Sequence, residues 1–299
     1  MKRIIIFLVL GTAFTRISAQ QLTTFSLYDQ HGLLHNPATA GAEKHGVIGA
    51  SFRSMWSGID GGPQTTIVFG SAYLSKLHLG LGGYVYNDVT GPTKRTGLEM
   101  AYAYHINMKN GGSFSLGLEA RLQQFSYDKD KLMQALGSTD PVLGSSNTQF
   151  KADAGFGVAY NGTKFHAGVS VSQLLQSKLN FYTGNLTRKE EGKLYRHYYL
   201  HSSYGWKIDE SSVITPNLLF IYLPNAPLEF QGGVRIDYRQ LLWWGFALRL
   251  HQSWMISAGI KIHKKLNIGY CFDMFTTPLS TFDNGGNAHE LMLRYDFLK

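Results

Sequence analysis

Three things are scarce in this sequence: cysteine, proline and long apolar runs. The single cysteine, Cys271, excludes an intramolecular disulfide. Eight prolines among 299 residues leave long stretches free to form regular structure. Beyond its first nineteen residues the chain has no apolar run of the eighteen or more residues that a membrane-spanning helix needs. A chain of this kind enters a membrane only as a closed barrel, because lipid offers no partner to a free backbone N–H or C=O. The first nineteen residues have the layout of a secretory leader. Lys2 and Arg3 precede an apolar run from Ile4 to Leu10, and the small residues Ser18 and Ala19 come before Gln20. No cysteine lies near that point, so attachment of a lipid to a new N-terminal cysteine is excluded. The net charge is +8, but three of those positive charges, Lys2, Arg3 and Arg16, sit in the leader. The remaining basic residues are scattered. A nucleic-acid partner would call for a stripe or cluster, so none is expected.

What the sequence has is glycine (33), tyrosine (17), phenylalanine (18) and a repeated period of two. Phe114, Leu116, Leu118, Ala120 and Leu122 alternate with Ser115, Gly117, Glu119 and Arg121. Trp254, Ile256, Ala258, Ile260 and Ile262 alternate with Met255, Ser257, Gly259, Lys261 and His263. Near the end, Leu291, Leu293, Tyr295 and Phe297 alternate with Glu290, Met292, Arg294 and Asp296. Such alternation marks strands with one apolar and one polar face. About fourteen strands are expected, near 46–55, 63–75, 77–87, 94–106, 112–124, 149–160, 163–172, 194–207, 211–222, 228–238, 241–250, 252–263, 265–274 and 287–298. Pro216 makes the ninth irregular. Segments of about ten residues suit tilted membrane-spanning strands; soluble strands are usually about half that length. Tyr102, Tyr104, Tyr160, Trp206, Tyr238, Trp244 and Trp254 flank the apolar face, as girdles at a membrane interface do. Links after even-numbered strands are short and those after odd-numbered strands mostly longer, with 250–252 as an exception. The expected fold is therefore all-β, a transmembrane antiparallel up-and-down barrel with short turns and both termini in the periplasm. The chain divides into a leader (1–19), a periplasmic or plug-like N-terminal segment (20–45) and the barrel (46–299).

The 20–45 segment contains Asn36-Pro37-Ala38-Thr39-Ala40-Gly41, preceded by Gln21-Leu22-Thr23-Thr24-Phe25-Ser26-Leu27-Tyr28. The first strand leads into Arg53-x-x-Trp56-x-Gly58-Ile59-x-Gly61-x-Pro63, and the last opens on His289-Glu290-Leu291. In order and spacing these motifs resemble the PorP/SprF family of the Bacteroidetes, membrane proteins of type IX secretion and gliding motility. The resemblance covers the mature chain, and its specificity lies mostly at the two ends. It implies a non-enzymatic accessory barrel without cofactors. The implied role is to help export or hold large adhesins that carry C-terminal sorting domains, with outer-membrane lipid and periplasmic secretion components as further partners. The ending Leu298-Lys299 places the terminal aromatic, Phe297, two residues inside the chain end. From the residues themselves, Pro37 and Gly41 suit a rigid turn before the first strand, or a segment that packs in the barrel mouth or docks a periplasmic partner. Arg53, on the polar phase, is a lumen or rim cation with Glu290 or another acid as its partner. The other reading of the whole chain is a porin or a transporter of hydrophobic solutes, since a fourteen-stranded lumen is wider than side chains alone fill.

Enzymatic and metal chemistry is not expected. His197 and His201 are four apart on a strand, about 13 Å, too far to share an ion. Asp128 and Asp130 begin like a calcium loop without its later ligands. Gly80-Leu81-Gly82-Gly83 has no following helix to make a nucleotide loop. His201 and Ser203 share a strand face, as in outer-membrane phospholipase A, but on the phase expected to face the lumen. His289-Glu290 is read as packing at a strand start.

Overall fold

The computed structural model describes residues 24–109, 111–136, 147–179, 181, 192–224, 226–276 and 282–297. Residues 1–23, which include the expected leader, and the Leu298-Lys299 ending lie outside the described residues. Fourteen antiparallel strands form a closed barrel. They are β1 (Gly46–Met55), β2 (Gln64–Leu74), β3 (Leu79–Thr90), β4 (Thr93–Asn107), β5 (Ser113–Tyr127), β6 (Thr148–Asn161) and β7 (Phe165–Ser172). The barrel continues through β8 (His197–Tyr204, resumed at Trp206–Lys207), β9 (Ser212–Tyr222), β10 (Glu229–Tyr238), β11 (Leu242–Arg249), β12 (Ser253–Ile262), β13 (Leu266–Phe275) and β14 (Ala288–Phe297). Each strand pairs with its neighbour in sequence, and β14 closes on β1 from Gly46↔Phe297 to Met55↔Ala288.

The polar phase turns inward. On β5, Leu118 and Leu122 are 58 % and 60 % exposed while Arg121 is 2 % exposed. This inside-out distribution matches a lipid exterior and a hydrated or polar lumen. Two structural details depart from the expected strand limits. β3 and β4 run on to a tight turn at Gly91-Pro92, where a longer link near 88–93 was expected. Above the lipid both faces of these strands meet water, so alternation fades while the ladder continues, supported by Arg95 on Asp88 at 3.3 Å. Pro216 lies within β9, opposite the break in β8 at Gly205. Its missing N–H therefore costs no ladder bond there.

Turns after β2, β4, β6, β8, β10 and β12 share one end with both ends of the described chain. Arg239-Gln240 and His263-Lys264 have positive φ at both positions (52° and 52°, 49° and 60°), the mirror-image turn that suits a two-residue hairpin. This end faces the periplasm, because short turns do so in such barrels.

Residues 24–45 run through the lumen as a strap. Phe25 packs with Val47, Ile67, Phe69, Tyr84 and Tyr86. Leu27 and Tyr28 pack with Tyr199, Leu219, Trp243, Met255 and Met292, which line the wall between β8 and β14. The strap starts level with Arg53, near the outer end of β1, and descends to Ala40, level with His105 near the periplasmic end of β4. It then turns into β1.

Candidate functional site

The lower half of the strap is a built turn. Asn36 is extended, and its side-chain oxygen accepts the Ala38 N–H at 2.9 Å. Pro37 opens the short helical turn Pro37–Thr39, a position where its missing N–H needs no partner. The same Asn36 amide donates to the Val158 carbonyl on β6 at 3.0 Å and lies 3.0 Å from His201 Nε2 on β8. His105 donates to the Ala40 carbonyl at 2.7 Å, and Gly41, at φ +68°, donates to Ser71 Oγ at 2.7 Å. Asn36, Ala38 and Ala40 are fully buried. The wall makes room with glycine: a Cβ at Gly117 would run into the backbone of Pro37 and Ala38, and one at Gly80 into the Ala40 carbonyl. Gly117→Val is expected to push the strap off the wall, seen as new protease cleavage within 24–45 in a barrel that still resists heat as a folded band.

His35 packs against Tyr199 at 5.7 Å between ring centroids. Burial, followed by the nearby imidazoles of His201 and His31, pushes its own imidazole down to about 3. The packed form is neutral. A depressed histidine supports the fold fully above its unfolded value of about 6.5 and loses that support as pH falls toward the folded value. The strap is expected to loosen progressively from about pH 6.5 toward about pH 3. Protease accessibility of 24–45 that stays constant between neutral pH and the acid end of that window would count against this.

The upper half of the strap is held by charge. Arg53 is 1 % exposed, 2.7 Å from Asp273 on β13 and 3.4 Å from Glu290 on β14, and it donates to the Ser26 hydroxyl. Glu290 accepts the Ser26 N–H at 2.6 Å and the Ser51 hydroxyl at 3.2 Å, with His31 at 3.4 Å. Arg53 and Glu290 are direct cross-strand partners in the seam that closes the barrel. One ion cluster thus joins the first strand, the last strand and the strap. Lower down, Arg235 pairs with Asp29 of the strap, and Tyr28 donates to Asn217.

The remaining signature residues form a separate cap at the outer end. Trp56 has φ +49°, and its N–H donates to the Asn287 carbonyl at 2.6 Å. Asp283 accepts the Gly58 N–H at 2.8 Å and the Asn287 N–H. The Gly61 carbonyl, at φ +78°, accepts the Gly91 N–H at 2.8 Å, and the Pro63 carbonyl accepts the Met55 N–H at 2.8 Å. His289 points the other way from Glu290, to the outer surface, where the Tyr270 hydroxyl meets its Nδ1 at 2.6 Å. Asp283 was not singled out from sequence; Ser26 was read only as part of the opening motif, and Asp273 only as one charge of the polar phase.

Other chemical candidates have structural partners. Asp128 Oδ1 accepts the N–H groups of Asp130 and Lys131 and caps the helix Lys129–Leu136. Gly82 packs under Leu33 and Ala40 of the strap. Among the described residues one group of three, Glu43, His45 and Asp296, has spacing that would suit a metal ion. Arg294 pairs with Glu43 and, at 2.8 Å, with Asp296, so both acids already have a cationic partner.

The fold and its inward charge define an integral β-barrel of the outer membrane. The chain belongs to the family described as type IX secretion system membrane protein PorP/SprF, whose profile matches residues 17–295. Its fold is similar to that of the Ralstonia pickettii toluene transporter TbuX, with 10 % identity over 89 % of this chain and 93 % of that one and a TM-score of 0.54. It is also similar to the Acinetobacter baumannii outer membrane protein Omp33, with 7 % identity over 85 % of this chain and 98 % of that one and a TM-score of 0.50. Likeness at this level of identity concerns the fold alone. No curated protein matches the sequence.

Proposed function

We propose that this barrel is an accessory scaffold of the type IX system that helps export large secreted proteins, such as adhesins with C-terminal sorting domains, or holds them at the cell surface. The observation that carries the reading is the strap. It occupies the lumen from the level of Arg53 to that of His105 and is fixed at both ends by buried polar contacts. A porin keeps its lumen hydrated and open to solutes. A scaffold has no such need and gains a rigid body with a worked outer cap and a periplasmic rim. The periplasmic rim, with its short turns, is the surface offered to periplasmic secretion components. Purification of the full chain from native membranes, with identification of co-purifying proteins, tests the reading. A type IX substrate or a periplasmic component of that system is the expected companion; recovery with neither would sink it.

A further inference from the structure

The basic residues are scattered along the sequence, but the fold gathers a set of them at one end. Every short turn of the periplasmic rim, or the strand end leading into it, carries an exposed cation. Lys76 stands in the turn after β2, Lys109 in that after β4 and Lys164 in that after β6. Lys207 ends β8, Arg239 opens the turn after β10, and Lys264 and Lys265 lie in the turn after β12. Against these seven cations the six turns hold two acids, Asp209 and Glu210, both near Lys207. Among the described residues none of the seven cations is in an ion pair.

The other rim is different. Outer links 56–63, 91–92, 223–228, 250–252 and 276–287 contain neither lysine nor arginine, and the two long ones, 128–147 and 173–196, mix both signs. The seam where the strap enters β1 differs as well. There Arg294 is taken up by Glu43 and Asp296, and the Lys44 amine sits 3.9 Å from the centre of the Tyr73 ring. At the seam charge is satisfied within the protein; on the six turns it is left to the surroundings.

Exposed apolar side chains fix the depth of the ring. Within two positions of a cation at each turn stand Leu77, Met108, Phe165, Ile208, Leu241 and Ile262, all exposed. Phe165 and Ile262 continue the lipid-facing phase of β7 and β12. The cations therefore lie just past the hydrocarbon boundary, where a lysine or arginine stem covers apolar surface and its head reaches the polar layer. They recur at every second strand, a spacing on the order of 10 Å around the rim.

We propose that this ring binds the phosphates of anionic phospholipid headgroups in the periplasmic leaflet and gathers such lipids around the barrel. It stands on the barrel and its orientation, not on the scaffold reading. The phosphate supplies the charge that the rim lacks, and the acyl chains cover the apolar residues one or two positions away. A docked acidic protein would meet one arc of the ring and leave the opposite turns bare, whereas a lipid leaflet meets all of it. A free anion would meet the charge and leave the apolar neighbours uncovered.

The test reconstitutes the full chain in vesicles of phosphatidylethanolamine with a minority of phosphatidylglycerol. Spin-labelled analogues of each then report which lipid lies next to the barrel. Phosphatidylglycerol is expected to be preferred by about fivefold at low salt. Most of that preference should vanish at about 1 M salt, where screening acts within about 3 Å. Lys76→Gln, Lys109→Gln, Lys164→Gln, Arg239→Gln, Lys264→Gln and Lys265→Gln combined are expected to abolish it. Lys94→Gln with Lys131→Gln, at the outer end, should leave it unchanged. No preference in the wild type overturns the proposal, as does one that survives the salt or the sixfold variant, or one that the outer pair removes equally. Loss of the preference to inorganic phosphate at matched ionic strength would show a site for free anions and overturn it too. A sixfold variant that keeps its lipid and loses a co-purifying acidic protein assigns the ring to that protein instead. Should the sixfold variant not fold, quenching of Trp206, which adjoins Lys207, decides in the wild-type barrel. Read as the difference from Trp206→Phe, quenching by brominated phosphatidylglycerol is expected to exceed that by brominated phosphatidylethanolamine; equal quenching overturns the idea.

Discussion

Arg53→Ala is expected to destabilise the barrel by about 3–5 kcal/mol, the usual cost of leaving a buried charge without its partner. The side chain is 1 % exposed and stands between Asp273 and Glu290, both 0 % exposed. Without the guanidinium, the carboxylates of β13 and β14 are left side by side next to the closing seam, with Arg249, 4.0 Å from Asp273, and His31, 3.4 Å from Glu290, as their remaining basic neighbours. Glu290 also anchors the Ser26 N–H, so the loss spreads to the strap. Arg53→Met combined with Glu290→Gln removes the charge of the pair and keeps a carbonyl for Ser26. Part of the lost stability is expected to return in that double variant, a coupling that a cycle of single and double variants isolates. The midpoint of urea unfolding followed by tryptophan fluorescence gives the numbers. A single variant within about 0.5 kcal/mol of wild type would show that the cluster holds nothing together.

Deleting residues 24–41 is expected to leave a folded barrel and turn it into a pore. The wall behind the strap carries two apolar patches, around Ile67 and Phe69 and around Leu219, Trp243 and Met255, within a polar and partly self-paired lining: Arg121 bonds Glu99 and lies 3.0 Å from Glu119, and Lys261 lies 3.0 Å from Asp237. Water can replace the strap against the charged groups at little cost, while uncovering the apolar patches lowers stability without opening the closed ladder of strands. A fourteen-stranded barrel without its filling is wide enough for small solutes, so sugar entry into reconstituted vesicles is expected to rise on the order of tenfold or more. Equal swelling rates for the intact and shortened chains would mean that the strap does not seal the lumen.

Much of this barrel was legible because lipid outside and charge inside impose a strict period of two. Leu118 beside Glu119 and Leu291 beside Glu290 already assign the faces. The alternation also put His289 and Glu290 on opposite faces, and His201 in the lumen. The outer ends of β3 and β4 escaped because residues 87–90 and 93–96 are, apart from Val89, polar on both phases. The path of the strap escaped for another reason: its anchors are remote in sequence. Ser26 finds Glu290 264 residues away, and Asn36 finds Val158 122 residues away. No local pattern encodes such pairs. Gly80, Gly117 and Gly157 read as small residues on a polar face, and their use became visible only with Asn36, Pro37 and Ala40 packed on them. Arg53 and Glu290 were the exception among long-range pairs, since both stand on the polar phase of strands that meet where the barrel closes.

The most direct measurement is the planar-bilayer conductance of the intact chain at neutral pH. A barrel whose lumen is filled from Ser26 to Gly41 is expected to insert and remain closed. Large, steady channels from the intact chain would contradict the filled lumen and return the porin reading to first place.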